Sequence, residues 1–348
     1  MIARRTFLLS SLALAACGRE AQGEPAAAGP VQALRAVAPF PVGCAVKSEL
    51  LDDTAYAALL TRHFSQLTAE WEMKMEYILQ SDGAFRFDAP DRLAGFARAN
   101  GMRLFGHTLV WYEQKPDAFA RIDGTGEPFA RAYRNYILAV AGRYRGQIAG
   151  WDVVNEAVAE DGEGLRASLW SRNLGELDHI RRAFDHAREA DPDAVLFLND
   201  YNLEHLPKKR ATFLRLAERL LGAGAPLGGL GTQTHLSVDT RPGAVTAAVR
   251  DLAKLGLPIH VSELDVKLKP APLADTSERL QRQARLYGEV GEAFAALPER
   301  QRFALTVWGL RDRDHWLRRG GKPEEPTLFD DAGRPKPAFH ALVRAFGA

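Results

Sequence analysis

The chain has 348 residues, 46% of them hydrophobic and 26% charged, a balance that belongs to a globular protein and excludes a disordered or fibrous one. Lys and Arg total 45 against 44 Asp and Glu, with the basic residues scattered rather than interleaved with aromatics. That distribution gives no electrostatic case for a nucleic acid or an anionic surface as partner.

The chain opens on a leader. In "MIARRTFLLSSLALAACG", Arg4 and Arg5 precede an apolar stretch from Phe7 to Ala16 and a small-residue cleavage pattern. Residues 1–17 are therefore expected to be an export signal, too short for a mature membrane span. "RRTFL" resembles a twin-arginine signal, and "LAAC" (Leu14 to Cys17) resembles a bacterial lipobox in which Cys17 would carry lipid. An ordinary secretory signal that leaves Cys17 unused is the alternative. Residues 18–39 are rich in Ala, Gly and Pro, as in a tether. With Cys17 lipidated, Cys44 is left without a disulfide partner. No other segment is apolar enough to cross a membrane, so membrane association is expected only through that lipid.

From residue 40 the chain alternates short apolar runs with longer amphipathic ones. Strands are predicted at 42–46, 65–69, 103–110, 148–154, 194–199, 229–234, 258–262 and 303–308. Helices are predicted at 52–63, 90–100, 128–145, 174–190, 207–223, 242–256, 278–296 and 336–346. Asp88 and Pro90 introduce the second helix and Asn100-Gly101 ends it, while Gly256 and Pro258 end the sixth. Eight strand–helix alternations point to an α/β fold, a single (β/α)8 TIM barrel over residues 40–348. A doubly wound open sheet is the alternative, but "GAGAPLGGLG" (222–231) puts Leu227 where a phosphate-binding loop needs its third glycine.

Active sites of such barrels sit at the carboxyl ends of the strands. The residues there are Glu70, Trp71 and Lys74; His107, Trp111 and Gln114; Asn155 and Glu156; Asn199, Asp200, Tyr201 and Asn202; Gln233 and His235; Glu263 and Asp265; and Trp308, with Trp316 in its loop. Acids, amides, histidines and tryptophans at one face suit a sugar, whose hydroxyls need polar partners and whose ring faces need flat aromatic ones. Glu156 and Glu263, from nearly opposite strands, form the pair of carboxylates that hydrolysis of a glycosidic bond requires. One must stay protonated while the other is ionised.

"WDVVNEA" (151–157) and "HVSELDV" (260–266) resemble the acid/base and nucleophile motifs of glycoside hydrolase family 10, the endo-β-1,4-xylanases. "GHTLVWYEQKP" (106–116), "LNDYN" (198–202), "TQTHL" (232–236), "TVWGLRDRDHW" (306–316) and "PTLFDDAGRPKPAF" (326–339) are similar to further signatures of that family, in the same order. The resemblance implies a retaining endoxylanase with Glu156 as general acid/base and Glu263 as nucleophile, their carboxyls about 5–5.5 Å apart. It also implies that Asn155 binds the 2-hydroxyl of the −1 sugar, that His235 holds Glu263 with Asp265 behind it, and that Gln233 lies beside the nucleophile. Glu70, Lys74 and His107 would grip hydroxyls of the −1 and −2 sugars. Trp111, Trp308 and Trp316 would line the −1 site, Tyr201 would stack under the +1 sugar, and Gln114 joins the substrate-binding set.

Two departures stand out. Trp71 occupies the position where the family carries an asparagine that binds −2 hydroxyls, so altered −2 binding and a preference for short oligosaccharides or aryl glycosides are expected. Tyr112 and Glu113 replace the usual His-Ser. His63, His179, His186, His205 and His340 have no polar constellation around them and read as structural or surface residues. Neither a metal nor any other cofactor is expected, since no His-x-His or HExxH occurs. The expected partner is xylan or xylo-oligosaccharide, on a monomeric exported protein of the bacterial cell envelope. Another β-1,4-glycan, or a carbohydrate-binding lipoprotein that does not hydrolyse, are the competing readings.

Overall fold

A computed structural model describes residues 31–268, 276–321 and 323–347. The expected export signal 1–17, its Cys17 and most of the tether lie outside those residues. Eight parallel strands close into a barrel: β1 (Val42–Val46), β2 (Gln66–Ala69), β3 (Arg103–Trp111), β4 (Ile148–Asn155), β5 (Val195–Asp200), β6 (Gly229–Thr232), β8 (Ile259–Lys267) and β9 (Arg302–Val307). Each pairs with the next in parallel register, β6 pairs with β8, and β9 returns to β1. A short β7 (His235–Ser237) lies beside the upper part of β8. The barrel expected from the alternation is the fold observed.

The strands read as near-continuous hydrophobic runs because helices cover them outside and other strands' side chains fill them inside. The helices bury one stripe each. In Asp178–Ala190 the buried residues Ile180, Ala183, Phe184 and Ala187 recur at the 3–4 spacing of one helical face. The floor of the barrel is an aromatic layer in which Phe105, Phe197 and Phe303 surround His260, the Phe105 ring centroid 4.3 Å from that of His260. Close approach is allowed by glycine at two places that matter. A Cβ on Gly106 would fall 2.1 Å from the Trp151 ring, and one on Gly231 would fall 2.3 Å from Asn199 Oδ1.

Several boundaries differ from the sequence reading, each for a local reason. The domain starts earlier than residue 40: residues 34–37 form a helical turn with Leu34 fully buried, so the end of the expected tether packs as part of the domain. The predicted helix 174–190 is observed as Asp178–Ala190, and an unpredicted helix, Leu169–Leu174, precedes it, the two separated at Gly175 with φ 92°. Pro90 lies inside the first turn of Asp88–Ala99, where its missing N–H costs nothing. The predicted strand 229–234 breaks at Gln233 and Thr234. Beyond that break β7 gives β8 a second partner, so β8 runs on to Lys267 and Glu263 lies within the strand rather than after it.

Candidate active site

Three successive strand ends are distorted toward one point. Glu156 after β4, Asn202 after β5 and Thr234 after β6 all adopt left-handed backbone, with φ of 60°, 58° and 61°. Non-glycine residues pay for that conformation, and such residues cluster where side chains must be aimed. The Glu156 amide is held by a hydrogen bond to the Asn199 carbonyl at 2.8 Å, which fixes where its side chain emerges.

These strand ends, with those of β2, β3, β8 and β9, enclose a cavity of about 600 Å³. Glu70, Lys74, His107, Trp111, Asn155, Glu156, Tyr201, Gln233, His235, Glu263, Trp308 and Trp316 all line it, as the sequence predicts. Asp265 lies behind His235, fully buried. Gln114 does not line the cavity. It is buried, accepting a hydrogen bond from the Glu76 amide at 2.7 Å, and so props the short helix Met75–Ile78. That helix is too short to show a hydrophobic period, which is why the sequence hid Gln114's partner.

A single hydrogen-bonded chain joins the two carboxylates. Gln233 Nε2 donates to Glu156 Oε1 at 2.9 Å and to Asn155 Oδ1 at 3.3 Å. Asn155 Nδ2 donates to Glu156 Oε1 at 3.1 Å. Asn199 Nδ2 donates to Asn155 Oδ1 at 2.9 Å and to Glu263 Oε1 at 3.1 Å, while its own carbonyl accepts from Ser262 Oγ at 2.9 Å. Asn199 stood at its strand end in the sequence but carried no role there, and only the barrel's closure reveals that it bridges β4 to β8.

The two carboxyls meet opposite environments. Burial raises the pKa of Glu156 above the ordinary value; its hydrogen bonds offset part of this and Glu263 adds to it. Burial also pushes Glu263 upward, but His107, His235 and Lys74 together outweigh it and leave its pKa lowered. His235 is the nearest of these: Nε2 lies 3.3 Å from Glu263 Oε2 and Nδ1 lies 2.9 Å from Asp265 Oδ2. Burial would neutralise this imidazole, but Asp265 and Glu263 prevail and raise its pKa to about 10. Asp265 is itself held well below the carboxylate range, since His235 and His315 outweigh its burial.

Other walls are equally specific. Lys74 places its ammonium 4.7 Å from the ring centroid of Trp111, 5.5 Å from that of Trp71 and 5.9 Å from that of Trp308. Burial lowers its pKa, against the pull of Glu263, Glu156 and Glu70. His107 Nδ1 lies 2.8 Å from Asp152 Oδ2 on the neighbouring strand. Asp152 was missed by sequence reasoning although a lone acid in the apolar run "WDVV" is a signal for it. Arg166 was also missed: it hydrogen-bonds the Glu156 carbonyl and the Tyr201 hydroxyl and stacks 4.1 Å from the Tyr112 ring centroid. It comes from the loop that follows β4, ten residues beyond Glu156, with no motif to mark it. Trp71 is 39% exposed and forms the lip of the cavity rather than filling it. Among the described residues no group of three or more His, Cys, Asp or Glu side chains is placed to hold a metal ion.

The arrangement offers one carboxyl poised to give a proton, a second poised to stay ionised, and aromatic walls around both. Comparison with known proteins identifies the family. The sequence model of Glycosyl hydrolase family 10 matches residues 32–345. The chain is 37% identical over 322 residues to an endo-1,4-beta-xylanase of Geobacillus stearothermophilus, covering 87% of this chain and 95% of the relative. It is also 37% identical over 320 residues to an exoglucanase of Acetivibrio thermocellus, covering 87% of this chain but only 28% of that much longer protein. It spans 27% of endo-1,4-beta-xylanase A of Thermoanaerobacterium saccharolyticum, so it is less than a third of its larger relatives. The solved structure of a thermostable mutant of a xylanase from Cellvibrio japonicus superposes with a TM-score of 0.83 at 34% identity, covering 90% of this chain and 99% of the other. On the match of nearly its whole described length, this chain belongs to glycosyl hydrolase family 10.

Proposed function

We propose that the protein is a retaining endo-β-1,4-xylanase, with Glu156 as general acid/base and Glu263 as nucleophile. The observation that carries this reading is the pair of buried carboxyls on one hydrogen-bonded chain, one with raised and one with lowered pKa. In the first step the ionised Glu263 attacks the anomeric carbon, the glycosidic C–O bond breaks, and the Glu156 proton goes to the departing oxygen. In the second step Glu156, now ionised, takes a proton from water as its oxygen bonds to the same carbon and Glu263 leaves. Asn155 is the residue best placed to meet the 2-hydroxyl of the reacting sugar. Rate should follow a bell: the acid limb reports protonation of Glu263 and the alkaline limb loss of the Glu156 proton.

Several relatives are named as xylanases, and one solved structure, a xylanase of Thermoanaerobacterium saccharolyticum, holds xylotetraose at 35% identity. The test is reducing-sugar release from soluble β-1,4-xylan by the wild-type chain beside its Glu263→Gln variant. Activity in the first and none in the second supports the reading; silence in both on xylan overturns it. A β-1,4-glucan is the second reading, favoured by the exoglucanase among the relatives, and the same assay on a soluble β-1,4-glucan decides between them. We further propose that residues 1–17 direct export and that Cys17 carries lipid. Metabolic labelling with a fatty acid, lost in Cys17→Ser, is the expected result, and an unlabelled wild-type chain would refute it.

A further inference from the structure

Trp71 is one of only three large hydrophobic side chains left exposed among the described residues. The other two lie away from the cleft, whereas Trp71 stands on its rim and has a second hollow on its far side. That hollow, of about 390 Å³, is lined by Lys47, Ser48, Glu49, Glu72 and Tyr77. Trp71 and Arg319 are common to both spaces, so the catalytic cavity and the hollow meet across the indole.

Trp71 is anchored through its backbone. Its backbone N–H donates to Glu72 Oε2 at 3.3 Å, and Glu72 Oε1 also accepts from the Ser48 amide at 2.5 Å. Lys47 and Arg319 approach the same Glu70 oxygen, at 3.5 and 3.6 Å, which ties both cations to the wall shared with the catalytic cavity. An exposed aromatic plane beside hydroxyl, carboxylate and cationic groups is the chemistry that holds a pyranose: its C–H face on the ring, its hydroxyls on the polar rim. Direction along the cleft follows from Glu156. A general acid stands on the side of the leaving group, and Glu156 shares the Tyr112, Arg166 and Tyr201 end, so the Trp71 end receives the part of the substrate that becomes bonded to Glu263.

Resting on the glycan reading above, we infer that Trp71 is the platform of a sugar subsite on the non-leaving side, and that the hollow beyond it holds a further neutral pyranose of the substrate main chain. The substitution thus extends the row of sugar contacts past the reacting unit instead of closing it.

The test is calorimetric binding of xylobiose, xylotriose and xylotetraose to the full chain carrying Glu263→Gln, alone and combined with Trp71→Ala or Glu49→Ala. Affinity is expected to rise about tenfold at the length that first reaches the hollow, and Trp71→Ala to abolish that rise. Glu49→Ala, an exposed change that spares the fold, should reduce the same rise by about threefold while leaving xylobiose unaffected. No tightening with length, or a tightening that survives Trp71→Ala, overturns the subsite. The two readings fail separately. A wild-type chain that leaves xylan intact but shows the Trp71-dependent rise loses the hydrolase and keeps the subsite, and an active chain without the rise does the reverse.

Discussion

The floor of the barrel buries one histidine and the mouth half-buries another, and the two titrate in opposite directions. His260, at the floor, lies between Phe105 and Phe303 with one hydrogen-bonding partner, Thr306 Oγ1 at 2.8 Å. Burial pushes its pKa well below the ordinary value, so it stays neutral. His235, at the mouth, is clasped between Asp265 and Glu263 and stays charged through neutral pH, with a pKa of about 10. Glu263 is only three residues beyond His260 on the same strand. Burial opposes charge at both levels; what differs is whether neighbouring strands supply an opposite charge within reach. The floor stabilises the barrel, and the mouth spends that stability on ionised groups held out of water.

The contrast is sharpest under substitution of a charged group at the mouth. Glu263→Gln keeps the shape and removes the nucleophile, and kcat on xylan is expected to fall at least about 10⁴-fold. His260→Gln at the floor should leave kcat within a few-fold and lower Tm instead. Steady-state rates beside thermal melts read both, and a floor variant that folds but has lost kcat would break the division. The next largest effect is Glu156→Gln, with kcat on xylan down about 10²–10⁴-fold. Because the first step loses proton donation, the deficit in kcat/KM, which reports that step, should shrink on an aryl xyloside whose leaving group needs no proton, while kcat stays low for want of the base in the second step. The alkaline limb of the pH–rate profile should vanish with it. A deficit equal on both substrates would remove Glu156 from the acid role.

Much of this division could be read from the sequence, and the part that could not has a physical cause. Hydrophobic runs, caps and the polar residues that end each run carry the barrel and its active face, because strand ends are local features. Glu156, Glu263 and the tryptophans were found that way. Asn199 and Asp152 were not assigned because their roles come from neighbouring strands: Asn199 reaches β8, and Asp152 reaches His107 on β3. Along the chain it is His260 that lies near Glu263 and Asp265, yet the register sets His235 opposite Asp265, and that contact rather than sequence distance separates the two. The contact of Gln114 with the short helix Met75–Ile78 was hidden for the same reason, since its partner Glu76 lies in the loop of another strand.

His235 acts on the nucleophile without touching the reacting bond, so its signature is a shifted profile rather than a dead enzyme. An opposite charge within about 4–6 Å lowers a carboxyl pKa by roughly 1–3 units. In His235→Gln the acid limb of kcat/KM should therefore rise by about that amount, with kcat at the new optimum reduced less than in Glu156→Gln. An unmoved acid limb would mean that His107 and Lys74 alone keep Glu263 ionised.

The smallest effects lie in stability against pH, and they separate the two histidines directly. His235 binds its proton more tightly folded than unfolded, since about 10 exceeds the ordinary 6.5. Its contribution is whole below pH 6.5 and drains away as pH rises from there toward 10. His260 is the reverse: folded it refuses the proton, so stability is lost as pH falls below 6.5 and the unfolded chain takes that proton up. Each proton contributes a slope of at most about 1.4 kcal/mol per pH unit. Asp152 and Asp200, both raised to about 6 by burial, tilt the acid side the other way, because the folded chain holds their protons where the unfolded chain has released them. The wild-type acid slope is therefore a balance, and only the difference from a variant isolates His260. Urea unfolding from pH 5 to 10 should show the alkaline decline flattened in His235→Gln alone, and the acid side lifted in His260→Gln relative to its own value at pH 7. If both variants keep the wild-type slopes, neither histidine differs in protonation between folded and unfolded chain, and the contrast between floor and mouth is one of packing rather than charge.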